Sequence, residues 1–325
     1  MSTVRDIFSF IDEIAPFSTQ EEWDNSGLLV GNENDEVKKI ALCLDATDET
    51  LKKAVEFGAD LLITHHPIIW DPLKFVPSDT LVSKAIRQGI NVISCHTNWD
   101  LAEAGVSCVL ASLVGLNNIE KLEPEGELSM VRVGTLPVPM TARDLAGVVS
   151  DALDAVVAVT SPNKEISTVA VCGGAGACFL PDLKRHGIDA FVTGEAKHNE
   201  YLDARELDVS LLCAGHYETE TVSMPVLGTL LKEEFKDIIK IGRTQLQDAV
   251  PMKLGDSFGA YASSMKEEIE SIRLSIKDFS YDELESKLAV IYANQQMTHN
   301  TEKEKVPLIA PESQFSILMS KYRKN

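Results

Sequence analysis

The first 120 residues alternate between continuous apolar runs and amphipathic segments. The apolar runs lack polar alternation, which is typical of strands buried on both faces of a sheet. Strands are predicted at 38–47, 60–66 and 90–96. The amphipathic segments repeat their apolar positions every three or four residues, as helices do. Helices are predicted at 4–15, 48–58 and 78–89.

The same alternation returns after residue 165. Strands are predicted at 166–176, 188–195 and 209–216. Helices are predicted at 179–187, 196–207 and from about 219 to 235. The stretch 121–165 is less regular and holds four prolines, so a peripheral or inserted α+β portion is expected there. Alternating strands and helices indicate a two-lobed α/β fold with mostly parallel sheets.

The charge distribution divides the chain near residue 240. Residues 1–240 contain 19 Lys and Arg against 38 Asp and Glu, whereas residues 241–325 contain 11 against 12. We therefore expect a first lobe at 1–120, the α+β portion at 121–165, a second lobe at 166–240 and a helical tail at 241–325. The net charge of −20 argues against a nucleic-acid polymer as partner, since phosphates require a basic surface.

Three further features indicate a cytoplasmic protein. No window approaches 18 uninterrupted apolar residues, so neither a membrane-spanning helix nor a membrane partner is predicted. The N-terminus has the pattern of an amphipathic helix without the apolar core of a signal peptide. The six cysteines are dispersed and form no CxxC motif, which fits free thiols in a reducing compartment.

Four of the seven histidines follow predicted strands, at positions 65, 66, 96 and 216. Ligands of such sheets bind beyond the carboxyl ends of the strands. His96 and His216 each precede a carboxylate by four residues, Asp100 and Glu220, a spacing that places both side chains on one helix face. A solvent-facing surface pair is the alternative for each spacing taken alone.

Together these side chains predict a metal site. Imidazole and carboxylate ligands suit Zn, Mn, Fe, Co or Ni. Adjacent side chains of an extended strand diverge, but in a turn after the strand His65 and His66 can reach two ions. Two such ions activate water for hydrolysis. The alternative for His65 and His66 is a ring that caps the strand beside a ring in solvent.

Six motifs in order also resemble those of the NIF-three-like family, whose members are named GTP cyclohydrolase 1 type 2 homologues. The resemblance spans residues 1 to about 236. The motifs are WDNSGLLVG (23–31), ITHHP (63–67), CHTNWD (95–100), CGGAGA (172–177), VTGEAKH (192–198) and AGHYETE (214–220). It implies a two-metal α/β fold in ring-shaped homohexamers.

Position by position, the resemblance implies a set of metal ligands, with Glu220 as the bridge between two divalent ions. The set is His65, His66, Asp100, His216 and Glu220. His96 would either bind an ion or orient Asp100 through a hydrogen bond. Where family members often have KHH, this chain has Asn199 in place of the second histidine.

Several other candidates have two interpretations. Glu195 and Lys197 would act as acid and base groups in the cavity, or would pair at a helix start. The CGGAGA turn would cradle a phosphate through its N–H groups or, as we favour, would allow a helix to pack closely. Trp70 and Trp99 flank the ligands and would stack on a planar base, although packing is the favoured role.

The tail begins differently from the rest of the chain. Residues 239–265 resemble the aspartase/fumarase superfamily, but the mobile serine loop of that superfamily is missing, so lyase activity is not expected. Apolar residues spaced by three and four after Phe258, and again after Tyr281, predict two helices. Residues 294–313 are polar and are predicted to form a loop.

The leading functional expectation is a dinuclear metal-dependent hydrolase. Hydroxide generated at the two ions would attack a small-molecule substrate such as a nucleotide or another phosphoester. The alternative is a non-catalytic, metal-binding oligomeric scaffold or metal-delivery protein that binds protein partners.

Overall fold

The computed structural model describes residues 2–122 and 130–235, and the backbone of 240–243. The strands are β1 (Ser2–Thr3), β2 (Gly27–Val30), β3 (Glu36–Val37), β4 (Lys39–Cys43), β5 (Leu61–Thr64), β6 (Asn91–Ser94), β7 (Asn117–Lys121), β8 (Arg132–Thr141), β9 (Ala158–Val159), β10 (Glu165–Cys172), β11 (Ala190–Thr193), β12 (Ser210–Cys213) and β13 (Lys240–Arg243). The α-helices are α1 (Val4–Ile14), α2 (Asp48–Phe57), α3 (Leu81–Gln88), α4 (Thr97–Leu101), α5 (Val106–Leu113), α6 (Ala142–Leu153), α7 (Leu180–Arg185), α8 (His198–Glu206), α9 (His216–Thr221) and α10 (Met224–Glu234).

A five-stranded sheet forms the first lobe, in the order β13-β4-β5-β6-β2. Its strands β13, β4, β5 and β6 are parallel, and β2 joins β6 in the antiparallel direction. Successive residues of β4 point to opposite faces. Ile40 and Leu42 pack in the core with α1 and α10, whereas Ala41 and Cys43 pack with α2 and α3. Helices therefore cover both faces, which explains the continuous apolar runs.

A six-stranded mixed sheet forms the second lobe, in the order β7-β8-β10-β11-β12-β9. The strands β10, β11 and β12 are parallel, and the other pairings are antiparallel. On one face the sheet packs with α5 and α6, and on the other with α7 and α8. Because β8 pairs directly with β10, much of the stretch 121–165 belongs to this sheet. The boundaries expected for the four segments, 1–120, 121–165, 166–240 and 241–325, remain predictions.

The two lobes repeat one arrangement of three parallel strands. In each lobe a helix follows each strand, from β4 to α4 and from β10 to α9. An aspartate before the second strand accepts hydrogen bonds from two backbone N–H groups at or near the start of the first strand. Asp60 does so from Lys38 and Lys39, and Asp189 from Ser167 and Thr168. These contacts fix the register of both central strand pairs.

The two-lobed α/β fold predicted from the sequence is confirmed. The helix predicted from about 219 to 235 is divided into α9 and α10. Pro225 lies in the first turn of α10. Because proline lacks an N–H, Pro225 cannot donate a helical hydrogen bond to the carbonyl four residues earlier, at the end of α9, which explains the break. The predicted tail helices lie outside the described residues. Within the described part of the chain, no helix is long and apolar enough to cross a membrane.

Candidate metal centre

Three strand ends bring the predicted ligands together between the two lobes. His65 and His66 directly follow β5, and His96 and Asp100 lie at the start and within α4, after β6. His216 is the first residue of α9, after β12, and Glu220 lies one turn further along that helix. The four-residue spacing therefore places each carboxylate near its histidine, as helical geometry requires.

Glu220 occupies the centre of the cluster. Its Oε1 lies 3.1 Å from His216 Nε2 and 3.8 Å from His65 Nε2. Its Oε2 lies 3.2 Å from His66 Nε2. Asp100 Oδ1 lies 3.7 Å from His65 Nε2. With metal–ligand bonds of about 2.0–2.2 Å, two ligands of one ion are separated by about 3.0–3.5 Å. The observed separations are close to that range.

Each of the four histidine rings has its Nδ1 bonded to an acceptor on the outer side of the cluster. Metal-binding histidines almost always have such a partner, which fixes the ring and leaves Nε2 for the ion. The pairs are His65 with the Cys95 carbonyl (2.8 Å), His66 with Asp45 (2.7 Å), His96 with Asp24 (2.9 Å) and His216 with Glu195 (3.3 Å). The arrangement directs four ring nitrogens toward one region.

Three buried atoms at the centre lack a hydrogen bond of acceptable geometry among the described residues, although imidazole or carboxylate atoms lie 3.2–3.8 Å away: His65 Nε2, Asp100 Oδ1 and Glu220 Oε2. Buried polar atoms are almost always hydrogen bonded, so unsatisfied atoms that face one another indicate a missing ligand. Two sets of side chains have ligand atoms close enough to share an ion. These are His65, His66 and His96, and His66, His216 and Glu220. The donors present therefore fit divalent metal ions.

The field of the carboxylates favours cations. Although burial opposes it, the hydrogen bond with Asp45 and the nearby Glu220 carboxylate raise the pKa of His66 to about 10. The hydrogen bond with Glu220 raises the pKa of His216 to about 9. Despite burial, the three histidine rings around Glu220 hold the pKa of its carboxyl well below the usual range. Burial raises the pKa of Asp100, against the attraction of the nearby imidazoles.

The glycine turn after β10 lies against the metal candidates. Gly174 has a φ of +61°, and a Cβ built there would lie 2.3 Å from Glu220 Oε1. Only glycine allows this close approach. The N–H groups of Gly174 and Gly176 donate to the hydroxyls of Thr219 and Thr193. Since both N–H groups have partners within the protein, the turn serves close packing rather than a phosphate cradle.

A cavity of about 620 Å³ opens onto the cluster. Its lining includes Trp23 and Trp70, whose rings lie 5.7 and 5.2 Å from that of His96. Trp99 does not share this position. It is fully buried and donates its indole N–H to the Ser223 hydroxyl. Of the two tryptophans singled out in the sequence, Trp70 lines the cavity and Trp99 packs in the core.

Glu195 and Lys197 lie outside the cavity lining, in contrast to His96, which is part of it. Glu195 is exposed and contacts the outer nitrogen of His216. Lys197 is also exposed, and its backbone N–H donates to the Glu200 carboxylate at the start of α8. The structure thus places Glu195 as an orienting partner and Lys197 at a helix start.

Sequence reasoning missed three residues of the site: Trp23, Asp24 and Asp45. The Asp24 side chain is fully buried and accepts hydrogen bonds from His96, Ser26 and the Thr97 N–H. These bonds hold the pKa of Asp24 well below its usual range, against the effect of burial. Asp45 follows β4 and could have been found by the strand-end rule that located the histidines. Asp24 belongs to a loop and gave no comparable signal.

Comparison with known proteins decides the family. The family model of Duf34/NIF3 (NGG1p interacting factor 3) matches residues 2–248. The chain belongs to the Duf34/NIF3 family. A GTP cyclohydrolase 1 type 2 homolog of Clostridium perfringens is 32% identical over 226 residues, which cover 67% of this chain and 86% of that protein. One from Pyrococcus abyssi is 34% identical over 243 residues, which cover 71% and 94%.

A solved structure confirms the fold. The crystal structure of a hypothetical protein from Staphylococcus aureus is 28% identical, with a TM-score of 0.69, and the match covers 77% of this chain and 98% of that one. A second family model, described as Lyase, matches residues 229–305. The lyase resemblance of the tail is therefore confirmed together with the Duf34/NIF3 resemblance of the preceding residues.

Proposed function

We propose that this Duf34/NIF3 protein is a hydrolase that depends on two divalent metal ions. The ions are assigned to His65, His66, Asp100, His216 and Glu220. One observation carries the proposal: His65 Nε2, Asp100 Oδ1 and Glu220 Oε2 are buried, converge on one region and lack a hydrogen bond of acceptable geometry among the described residues. Each histidine ring is held through its Nδ1 by an acceptor on the outer side of the cluster. Relatives named GTP cyclohydrolase 1 type 2 homolog support a hydrolytic reaction on a small molecule such as a nucleotide.

Each ligand has a distinct role. Glu220 faces three histidine nitrogens with its two oxygens and is assigned as the bridge. His65 and Asp100 would hold one ion, and His66 and His216 would hold the other. When bound, Zn, Mn, Fe, Co or Ni ions supply Lewis acidity and lower the pKa of a water molecule.

His96 is assigned a separate catalytic role. It lines the cavity, and its Nδ1 is fixed by buried Asp24. The ring therefore presents Nε2 to a substrate, where it can accept or return a proton. Glu195 supports the reaction by orienting His216. Lys197 was predicted to act as an acid or base, but it lies outside the cavity lining. We therefore expect Lys197→Ala to leave turnover unchanged, and a loss of turnover would support the predicted role.

The proposal is tested with metal-loaded and chelated protein on a panel of nucleotides and phosphoesters. We expect hydrolysis that is lost on chelation and restored by added metal. Glu220→Gln is expected to lower the occupancy of both ions, whereas Asp100→Asn depletes mainly one. Two bound ions per chain in both variants, measured by elemental analysis, would contradict the assignment.

One observation favours a non-catalytic role instead, as a metal-binding scaffold or delivery protein. Among the described residues of the cavity lining, no lysine or arginine is present to bind a charged substrate away from the ions. A metal-loaded protein that hydrolyses nothing, but passes its metal to an acceptor or retains specific protein partners, would support this second function.

We also propose a ring-shaped homohexamer in the cytoplasm. The family resemblance supports the ring, and six free cysteines, four of them buried, support a reducing compartment. Native mass spectrometry of the full chain tests the assembly. Cell fractionation tests the location.

A further inference from the structure

Two large aromatic side chains stand exposed at the rim of the cavity. Trp23 is 62% exposed and Trp70 is 48% exposed, and both line the cavity that leads to the histidines. Exposed tryptophan leaves a large apolar surface in contact with water, and burying it on a ligand is favourable. Each indole offers a flat face as well as an N–H donor.

Both indoles are oriented by the same histidine. Their rings lie at 75° and 88° to the ring of His96, in edge-to-face contact. The ring centroids of Trp23 and Trp70 lie 5.7 and 5.2 Å from the His96 centroid, so the distance between the two indole centroids cannot exceed the sum of these values. Aromatic rings pair at centroid separations of about 4.5–7 Å, so His96 pairs with both indoles and the three rings form one aromatic part of the cavity wall.

Hydrogen bonds hold the two loops in this arrangement before any ligand binds. The side chain of Asn25 donates to the carbonyl of Ile69, the residue before Trp70, at 2.7 Å. Asp24, the residue after Trp23, is anchored on His96 and the Thr97 N–H. Because both tryptophans adjoin a residue fixed by these bonds, little ordering of the backbone remains to oppose binding.

The charge of the cavity limits what the ligand can carry. Its charged lining residues, apart from histidines, are carboxylates: Glu21, Asp45, Asp100 and Glu220. Where these carboxylates are not neutralised by a bound metal ion or a protonated histidine, they repel a phosphate group. Recognition at the rim therefore depends on the flat face of the ligand rather than on anionic groups.

From these features we infer that Trp23 and Trp70 form a stacking subsite for a planar, uncharged heteroaromatic ring of the nucleobase class. The ring binds at the rim, with its substituents directed toward the histidines. The inference deepens the proposed hydrolase function by naming the substrate class, and as a catalytic subsite it rests on that function. The stacking itself requires no metal.

The test is calorimetric titration of the full chain, metal-free and metal-loaded, with guanosine, adenosine and ribose 5-phosphate. Both nucleosides are expected to bind the metal-free protein, and ribose 5-phosphate is not. Since stacking of one base on one aromatic ring is worth about 1–3 kcal/mol, Trp23→Ala and Trp70→Ala should each weaken nucleoside binding about 5- to 150-fold. Phe replacements retain a flat face and should restore most of the affinity.

Phe75→Ala is the matched control. Phe75 is 77% exposed on the same loop as Trp70 but is not part of the cavity lining, so its loss should leave nucleoside binding unchanged. Equal nucleoside affinity in wild type and both Trp→Ala variants would overturn the subsite, even if metal-dependent hydrolysis is found. Tryptophan-dependent binding without any hydrolysis would instead overturn the hydrolase and leave the subsite standing.

Discussion

Replacing Gly174 by alanine tests the position of Glu220 as a metal ligand. The substitution has two separable costs. The φ of +61° places residue 174 in the left-handed region, which costs a non-glycine residue roughly 1–2 kcal/mol. In addition, the new Cβ would lie 2.3 Å from Glu220 Oε1 and 3.2 Å from His216 Nε2, so these side chains must move.

Gly187→Ala separates the two costs. Gly187 has a φ of +69°, and a Cβ built there meets nothing within 4 Å. Both metal-free variants are therefore expected to lose a similar backbone contribution to the free energy of unfolding. Only Gly174→Ala displaces a candidate ligand, and we expect its metal affinity to fall by at least the 10- to 100-fold known for disturbed orienting partners.

The measurement is thermal unfolding with and without metal, supported by direct metal titration. At a free metal concentration 100 times the Kd, binding stabilises the wild type by about 2.7 kcal/mol. After a 100-fold loss of affinity, the same concentration stabilises Gly174→Ala by only about 0.4 kcal/mol. Gly187→Ala should retain the full metal-induced stabilisation. If Gly174→Ala retains it as well, Glu220 is not a ligand in the position described.

Three other substitutions test separate features. Asp45→Asn removes the charged partner of His66 and should lower metal affinity about 10- to 100-fold, while Asp48→Asn on the exposed start of α2 should not; a chelator-competition titration compares them. Buried Arg132 donates to the carbonyls of Leu101 and Ala102, which follow Asp100. Arg132→Met removes these donors and should lower the free energy of unfolding, measured by urea denaturation, by about 1–3 kcal/mol. An unchanged free energy of unfolding would show that these carbonyls are satisfied without Arg132. Burial opposes ionisation of Asp189, but hydrogen bonds from the backbone N–H groups of Ser167 and Thr168 lower its pKa in the folded protein. The ionised Asp189 carboxylate therefore stabilises the fold fully above the unfolded-state pKa near 3.9, and this stabilisation disappears as the pH falls through the lower folded-state pKa. Asp189→Asn should accordingly cost on the order of 1 kcal/mol at pH 7 and much less below pH 3; an equal cost at both pH values would exclude the charge as its origin.

Much of the fold could be predicted from the sequence because strands buried on both faces of a sheet are continuous apolar runs. The strand predicted at 60–66 contains β5, whose four residues are all buried. Helix ends were also visible, since Gly58 and Gly89 adopt the left-handed backbone that terminates α2 and α3. The antiparallel position of β8 was not predictable in this way, because strand order depends on contacts between distant residues.

The candidate site could be predicted only where it follows strand ends. His65, His66, His96 and His216 were found by that rule, and the four-residue spacing added Asp100 and Glu220. Asp24 reaches His96 across 72 residues of sequence, and no local pattern reports such a contact. The sequence singled out Glu195, but it did not predict that this carboxylate contacts the outer nitrogen of His216. That contact depends on how the ends of β11 and β12 lie beside each other.

The repeated arrangement of the two lobes has a consequence for the pair of ions. Although β5 and β11 occupy equivalent places, one is followed by His65-His66 and the other by Gly194-Glu195. A duplicated framework thus presents non-equivalent donors, and the two proposed ions would not have the same surroundings. They should fill in sequence rather than together, so that an intermediate with one ion per chain is a distinct chemical species with its own reactivity.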